Sequence, residues 1–335
     1  MAVSLLKYQV FSHFSFVLIV FLTILLIYLI MRKTKLQLGP YKNLMITSAT
    51  SSLLMKISCE LYGPVAFITD RGYIVFCDSF LSVYKETALQ VGYIVTSFYA
   101  NLGVVLLVHY IYRLAWVIDD YLLRYFNGIW FILWLSVIFG FDFLWFLMMN
   151  ALNPDPNIYN QYIRHDIERA FGRNVSDLVY FGPMLYYDDE NGEVSKDVGT
   201  WVLEGCMYFQ LVVTTTAMII IGSMVTKKTK SKMTVSEKTK SMQAKLIRVL
   251  FIQTAAPFLF LYIPFAAFFI VQESGSRSDE YALICFLLID VYEISECLIV
   301  ILFMDNYRSA VKEMFFGRFI KPDRPSQVLP IHSRA

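Results

Sequence analysis

The chain has 335 residues, of which 57% are hydrophobic and 16% aromatic, and its mean hydropathy is +0.54. This composition is too apolar for an ordinary soluble fold of this size, and it leaves no room for a sizeable soluble domain. The formal net charge is only +2, so any information carried by charge lies in its distribution along the chain.

Seven apolar segments follow one another along the chain, and each is long enough, or nearly long enough, to cross a bilayer. Crossing takes about 20 mostly apolar residues in a helix. Lipid offers no partners to backbone NH and CO groups, so these segments must be helical. The second is short and rich in Ser and Thr. The predicted spans are Phe11–Met31, Leu44–Leu61, Ala88–Tyr112, Gly128–Leu152, Trp201–Val225, Leu246–Val271 and Tyr281–Met304.

The positive charges favour one side of the membrane. Of the 29 Lys and Arg residues, 20 follow spans one, three, five and seven, 8 lie on the opposite side, and Lys56 is inside a span. By the positive-inside rule, the N-terminus is outside and the C-terminus inside. The first span is too long for a signal-peptide core and precedes its basic cluster, so we expect it to be retained.

The predicted fold is therefore an all-α, seven-helix transmembrane bundle that occupies residues 1–319. The segment Tyr307–Phe319 has apolar residues at helical spacing, which predicts a short amphipathic helix along the inner membrane surface. Residues 320–335 are expected to form a disordered cytoplasmic tail. The long exterior loop contains the only glycosylation sequon, at Asn174. The interior segment Thr226–Lys245 is either a solvated anchor near anionic lipid or a partner-binding region.

Five cysteines are present. Cys59, Cys285 and Cys297 fall within spans, where a free cysteine behaves as a small apolar residue. Cys77 and Cys206 lie in or near the exterior, where a disulfide is feasible but demands specific geometry, so their pairing stays open. The spacing of the cysteines and histidines suggests no metal site.

Ionisable residues inside a bilayer are costly unless paired or hydrated, so they are candidates for function. Asp290, Glu293 and Glu296 are three residues apart and lie along one side of span seven. Because spans two and seven run in opposite directions, we expect Lys56 to pair with Asp290 or Glu293 and to hold the resting bundle together. A purely structural pair is the alternative. The other intramembrane acids are Glu60, Asp142 and Glu204.

Four further features concern residues inside the spans or at their ends. Span seven has no lysine that could carry a retinal Schiff base. His109 has no nucleophile or metal partner at helical spacing and is interpreted as a packing or hydrogen-bonding residue. Pro257 and Pro264 predict a kinked sixth span that could move. Arg113 ends span three at the cytoplasmic boundary, where it either snorkels to the headgroups or contacts a partner.

Several short motifs resemble the nematode serpentine chemoreceptors of the Str and Srj type. The strongest is SEKTK from Ser236 to Lys240 followed by LIRVLFIQTAAPFLFLYIPF, which includes Gln253, Thr254 and Pro257. The others are LGPYKNLMI from Leu38 to Ile46, HYIYR ending at Arg113, RYFNG from Arg124 to Gly128, and DNYR from Asp305 to Arg308. Leu114 departs from the family, which usually has an aromatic residue there, and the second exterior loop has no cysteine.

This resemblance implies a G-protein-coupled receptor for an environmental chemical, located in the plasma membrane of a sensory cilium. Its expected partners are a small-molecule ligand, a heterotrimeric G protein and the lipid bilayer, with no nucleic acid and no cofactor. By analogy with other seven-helix receptors, the expected ligand-lining residues are Tyr93, Phe98, Glu204, Tyr208, Phe265, Phe269 and Asp290. The expected G-protein face contains Arg113, Lys240, Lys245 and Arg248.

The main alternative is a transporter or ligand-gated channel in which the charges of spans two and seven line a conduction path. The absence of sequence repeats and of broken, glycine-rich helices argues against it. An enzyme is the least favoured class, because no nucleophile, base and orienting group can be recognised together.

Overall fold

A computed structural model describes residues 2–33, 40–69, 71–154, 156–188, 194–231, 248–249, 251–273 and 279–316. The predicted tail at 320–335 lies outside these residues, as does the part of the basic segment from 232 to 245.

Nine helices labelled here form most of the described chain. They are α1 (Ala2–Lys33), α2 (Tyr41–Tyr62), α3 (Lys85–Ile118), α4 (Ile129–Leu152), α5 (Pro156–Phe171), α6 (Val198–Ser231), α7 (Ile263–Glu273), α8 (Asp279–Phe303) and α9 (Asp305–Phe316). Short 3₁₀ turns occupy Phe80–Val83, Asp120–Phe126 and Val175–Asp177. Residues 251–257 are also helical and continue through a π-helical turn at Phe258–Tyr262 into α7.

The seven predicted spans correspond to α1, α2, α3, α4, α6, the segment 251–273 and α8. Within the described residues, five of these helices are long and apolar enough to cross a membrane, and α2 and α8 are not among them. The two exceptions have a shared cause, because α2 is rich in Ser and Thr and carries Lys56, whereas α8 carries Asp290, Glu293 and Glu296 in its apolar part. These two most polar spans therefore hold most of the intramembrane charges. Which side of the membrane each end faces stays a prediction of the charge pattern.

Helix α3 is the centre of the bundle and packs against α2, α4 and α6. Helix α1 packs along both α8 and α2, so the first span contacts both polar spans. Helix α9 follows α8 after one non-helical residue, Met304, and leaves Met314 and Phe315 exposed, consistent with the amphipathic helix predicted for this segment.

A small β-sheet, which the all-α expectation did not include, covers one end of the bundle. Strands β1 (Pro64–Thr69) and β2 (Gly72–Cys77) form an antiparallel hairpin between α2 and α3, and β2 also pairs with β3 (Tyr180–Phe181). A second, two-stranded sheet joins β4 (Tyr186–Asp188) to β5 (Val194–Lys196). We call the end that carries β1–β3 the sheet end.

The sheet is closely fitted to the helices below it and to α5 beside it. The Phe181 ring lies 5.8 Å from the rings of both Tyr62 and Tyr93, and the Tyr73 ring lies 5.0 Å from that of Phe268. Three residues at helical spacing on α5 are buried in the cluster that the sheet shares: Tyr159, Ile163 and Ile167. The sheet is therefore part of the hydrophobic core and not a loose exterior loop.

Gly182 lies where two strands of the sheet approach each other closely, so a substitution there tests how closely the sheet is packed. Its φ of +153° is a conformation that only glycine adopts readily, and a Cβ there would lie 2.2 Å from the Tyr73 carbonyl oxygen. We predict that Gly182→Ala lowers the free energy of unfolding by about 1–3 kcal/mol. Thermal unfolding of the purified protein in detergent measures the change.

The matched control is Gly140→Ala, because an added Cβ at Gly140 on α4 has no atom within 4 Å. We expect this variant to unfold at the wild-type temperature or slightly above it. Equal unfolding temperatures for the two variants would contradict the close fit of the sheet.

Candidate functional site

A buried ion pair joins the two polar spans. Lys56 on α2 donates from Nζ to Oδ1 of Asp290 on α8 over 2.5 Å. The Lys56 and Asp290 side chains are 3% and 8% exposed. The sequence proposed either Asp290 or Glu293 as the partner of Lys56, and the structure places the hydrogen bond on Asp290.

Glu293 lies one helical turn from Asp290, and its carboxylate has a different environment. The residue is 2% exposed, and neither carboxylate oxygen has a hydrogen-bond partner among the described residues. Glu296, the next acid along α8, accepts a long hydrogen bond of 3.5 Å from the Ser48 hydroxyl on α2. Lys56 is thus the one intramembrane lysine of the described chain beside a row of three acids, and it hydrogen-bonds only the first.

Glu60 does not join this row. It lies one turn from Lys56 on α2, and its Oε1 is 2.6 Å from Nδ1 of His13 on α1. Nearby, the Tyr8 hydroxyl donates to the Pro64 carbonyl over 2.6 Å, which ties the start of α1 to β1. The first span is therefore fastened to both α2 and the sheet.

On the side of Glu296 away from Lys56, the bundle encloses a cavity of about 30 Å³, which is space for about two water molecules. It lies between spans one, two, three, six and seven. Its polar lining consists of Tyr41, Ser48, Ser52, His109, Gln253 and Glu296. The row of acids therefore continues into a hydratable space at the end of the bundle opposite the sheet.

Arg113 closes this part of the bundle from α3. The residue is 2% exposed, and its guanidinium carbon lies 3.8 Å from the centre of the Tyr41 ring on α2. The Tyr41 hydroxyl is in turn 3.3 Å from Nδ1 of His109. In this conformation Arg113 is held inside the bundle by an aromatic ring and is not presented at the surface.

The other residues of the expected G-protein face are less fully described. Arg248 has an exposed side chain, and Lys240 and Lys245 lie outside the described residues. Asn174, the sequon residue, is exposed, and its Oδ1 accepts hydrogen bonds from the backbone and the hydroxyl of Ser176.

The expected ligand-lining residues fall into two groups. Tyr93, Phe98 and Phe265 belong to one hydrophobic cluster beneath the sheet. The other described residues are not members of that cluster: Glu204 is half-buried, Tyr208 is 41% exposed, and Asp290 belongs to the ion pair. The side chain of Phe269 lies outside the described residues. Three of the seven expected ligand-lining residues therefore lie together in the structure.

The sixth span carries two features that bend helices. Pro257 and Pro264 flank the π-helical turn at Phe258–Tyr262, and both prolines and π-turns interrupt the regular hydrogen-bond ladder. The Tyr281 hydroxyl on α8 donates to the carbonyl of Pro264 over 3.1 Å. The cysteines add no covalent constraint, because Cys77 and Cys206 are both free.

The structure also reveals contacts that sequence reasoning missed. These are the Arg113–Tyr41 contact, the sheet, and a hydrogen bond of 2.9 Å from Asn101 Nδ2 on α3 to Asp142 Oδ2 on α4. The sequence indicates Asp142 as an intramembrane charge, but its partner is the neutral amide of Asn101, which a pattern of charges does not reveal.

The arrangement of the helices is that of rhodopsin. The structure of squid rhodopsin matches this chain with a TM-score of 0.57, covering 96% of this chain and 89% of that one at 14% sequence identity. This likeness shows the fold alone: a bundle of seven transmembrane helices.

The family is shown by the sequence itself. Residues 8–312 match the model of the serpentine type 7TM GPCR chemoreceptor Str, and the chain belongs to this family. Serpentine receptor class r-10 of Caenorhabditis briggsae is 26% identical over 87% of this chain and 85% of its own length. G-protein coupled receptor str-33 of Caenorhabditis elegans is 24% identical over 91% and 90%.

The energetic role of the ion pair is testable. We predict that Lys56→Met lowers the free energy of unfolding by about 3–5 kcal/mol, because it leaves Asp290 buried without its cation. Adding Asp290→Asn should recover part of this loss, because the uncompensated charge is then removed. Thermal unfolding of the single and double variants in detergent measures both effects.

Glu293→Gln is the matched control, because the Glu293 carboxylate makes no hydrogen bond to the described residues. Its effect should be smaller than that of Lys56→Met. Additive losses in the double variant, with no recovery, would show that Lys56 and Asp290 do not depend on each other.

Proposed function

We propose that this chain is a G-protein-coupled chemoreceptor, which detects a small environmental chemical and signals through a heterotrimeric G protein. Membership of the Str chemoreceptor family supports the proposal, as does its similarity to a relative named as a G-protein coupled receptor. The proposed location is the plasma membrane of a chemosensory cilium, with the sheet end outside.

The proposed mechanism depends on the buried charges around Lys56. One lysine is next to two acids a helical turn apart, and it hydrogen-bonds only Asp290. A small shift of α8 along α2 would exchange Asp290 for Glu293 as the partner of Lys56. Two alternative pairings of the same groups make a two-state element, which a ligand shifts only if it binds one state better.

The signal then has to reach the end of the bundle opposite the sheet. In the described conformation Arg113 is buried against Tyr41, so its positive charge is not accessible to a G protein. We infer that activation separates α2 from α3 at Tyr41 and releases Arg113 toward the G protein. The polar cavity beside Tyr41 gives the side chains a hydratable space into which they can move.

The ring of Tyr41 can be tested separately from its hydroxyl. Tyr41→Leu removes the cation–π contact, which contributes about 0.5–2 kcal/mol. We predict that it raises signalling in the absence of ligand by about two- to thirtyfold. Second-messenger levels in transfected cells, normalised to receptor at the cell surface, give the measurement.

Tyr41→Phe is the control, since it keeps the aromatic ring and loses only the hydroxyl that contacts His109. Its basal signalling should stay near that of the wild type. If the basal signalling of Tyr41→Leu equalled that of the wild type at the same receptor level at the cell surface, Arg113 would not be restrained by the ring.

The proposed coupling surface has its own test. Changing Arg113, Lys240, Lys245 and Arg248 together to Ala should abolish the second-messenger response to an activating chemical and leave surface expression intact. The physical reason is the loss of three positive charges at the predicted inner surface, together with the Arg113 charge that activation is proposed to release. Lys7→Ala, which removes a charge at the opposite end of the bundle, is the control and should respond normally.

The same cells discriminate between a receptor and a channel. Removing the G-protein α subunits should eliminate the response of the wild-type protein. A chemically evoked current that persists in those cells would refute G-protein signalling and favour a channel.

A further inference from the structure

Spans three, four and five contain a second polar cluster, which is separate from the ion pair of Lys56. Asn101 on α3 is 1% exposed and uses its Nδ2 to donate to Oδ2 of Asp142 on α4. This bond leaves Oδ1 of both side chains buried without a hydrogen-bond partner among the described residues. Within the described chain, no lysine or arginine forms an ion pair with Asp142.

Gln210 brings a third acceptor to the same part of the bundle. Its Nε2 donates to the carbonyl of Ala100, the residue preceding Asn101, so the amide of span five is fixed beside span three. The other amide atom, Oε1, is buried without a partner among the described residues. Three spans therefore each contribute one unsatisfied acceptor oxygen.

Aromatic side chains border the cluster. Trp145 lies one turn along α4 from Asp142 and is buried, and its ring stacks on that of Phe141 at 6.4 Å between centres. Both belong to the hydrophobic cluster that also contains Phe98, one of the expected ligand-lining residues. The surroundings of the polar atoms are thus apolar and aromatic, and the Trp145 indole NH is the one unsatisfied donor among these groups.

We infer that Asn101, Asp142 and Gln210 form the binding site for the ammonium group of a protonated aliphatic amine, and that its alkyl chain lies against the Trp145 and Phe98 cluster. This inference rests on the proposed receptor function and names its ligand class. An ammonium group has three N–H donors and no acceptor, which matches three acceptor oxygens. Its positive charge also compensates the carboxylate, which is costly to hold unpaired in a membrane.

A neutral alcohol is the competing occupant. It differs from an ammonium group in that its hydroxyl donates only one hydrogen bond and brings no charge. The test uses purified full-length receptor in lipid nanodiscs, with unfolding temperature as the readout of binding. The probes are n-hexylammonium, 1-hexanol and hexyltrimethylammonium, which share the alkyl chain. We expect n-hexylammonium to raise the unfolding temperature of the wild type, and the other two to raise it much less.

Hexyltrimethylammonium has the charge but no N–H, so it isolates the hydrogen bonds. Equal stabilisation by 1-hexanol would overturn the assignment to a cation, and equal stabilisation by hexyltrimethylammonium would overturn the role of the three acceptors. This comparison needs only the wild-type protein, so it holds even where a variant fails to fold.

Asp142→Asn should weaken binding of n-hexylammonium by about tenfold to a hundredfold, since it removes a charge-assisted hydrogen bond. Ser136→Ala, on the exposed face of the same helix, is the control and should bind as the wild type does. Unchanged binding by Asp142→Asn would refute the site.

Binding is measured here without a G protein, so failure of this inference differs from failure of the proposed function. A wild-type receptor that signals in response to a non-amine, and does so with unchanged potency in Asp142→Asn, would overturn the amine site while leaving the receptor assignment intact.

Discussion

The bond from Lys56 to Asp290 is the interaction on which the rest of the bundle depends. Two charged side chains in a membrane interior each carry a desolvation penalty, which their mutual attraction offsets only at short range and in good geometry. At 2.5 Å the pair satisfies this condition and joins α2 to α8, the two spans that are less apolar than the other five. Helix α1 packs against both of them.

The sheet end and the opposite end are built on different physical principles. At the sheet end, aromatic rings and buried strands exclude water, and Gly182 adopts a backbone conformation that allows the strand to approach Tyr73 closely. At the opposite end, hydroxyl, imidazole, amide and carboxyl groups surround a small cavity. A closely packed end resists rearrangement, whereas a hydratable end lets polar side chains exchange partners at low cost. This asymmetry suits a bundle that is ordered at one end and changes its contacts at the other.

The sequence was sufficient for the membrane-spanning helices, because long apolar segments have few alternatives in lipid, but it did not predict α5 in the exterior loop. It also narrowed the partner of Lys56 to two acids, because one intramembrane lysine faced a row of carboxylates. The sheet was missed because runs such as PVAFIT and GYIVFC are short, and short apolar runs do not distinguish a strand from a helix. The burial of Arg113 was missed because it depends on Tyr41, a long-range aromatic contact that no local pattern encodes.

In the proposed receptor, the two polar clusters have different roles. In the cluster of spans two and seven, Lys56 pairs with one of three acids, and in the proposed mechanism the state of the cluster depends on which acid Lys56 contacts. The cluster of spans three, four and five leaves three acceptors unsatisfied in the described chain, so its state depends on an added donor. Helix α3 touches both groups of spans, through α2 on one side and through α4 and α6 on the other. In the proposed receptor, a change in how α3 packs against α4 and α6 would reach α2, which holds both Lys56 and Tyr41.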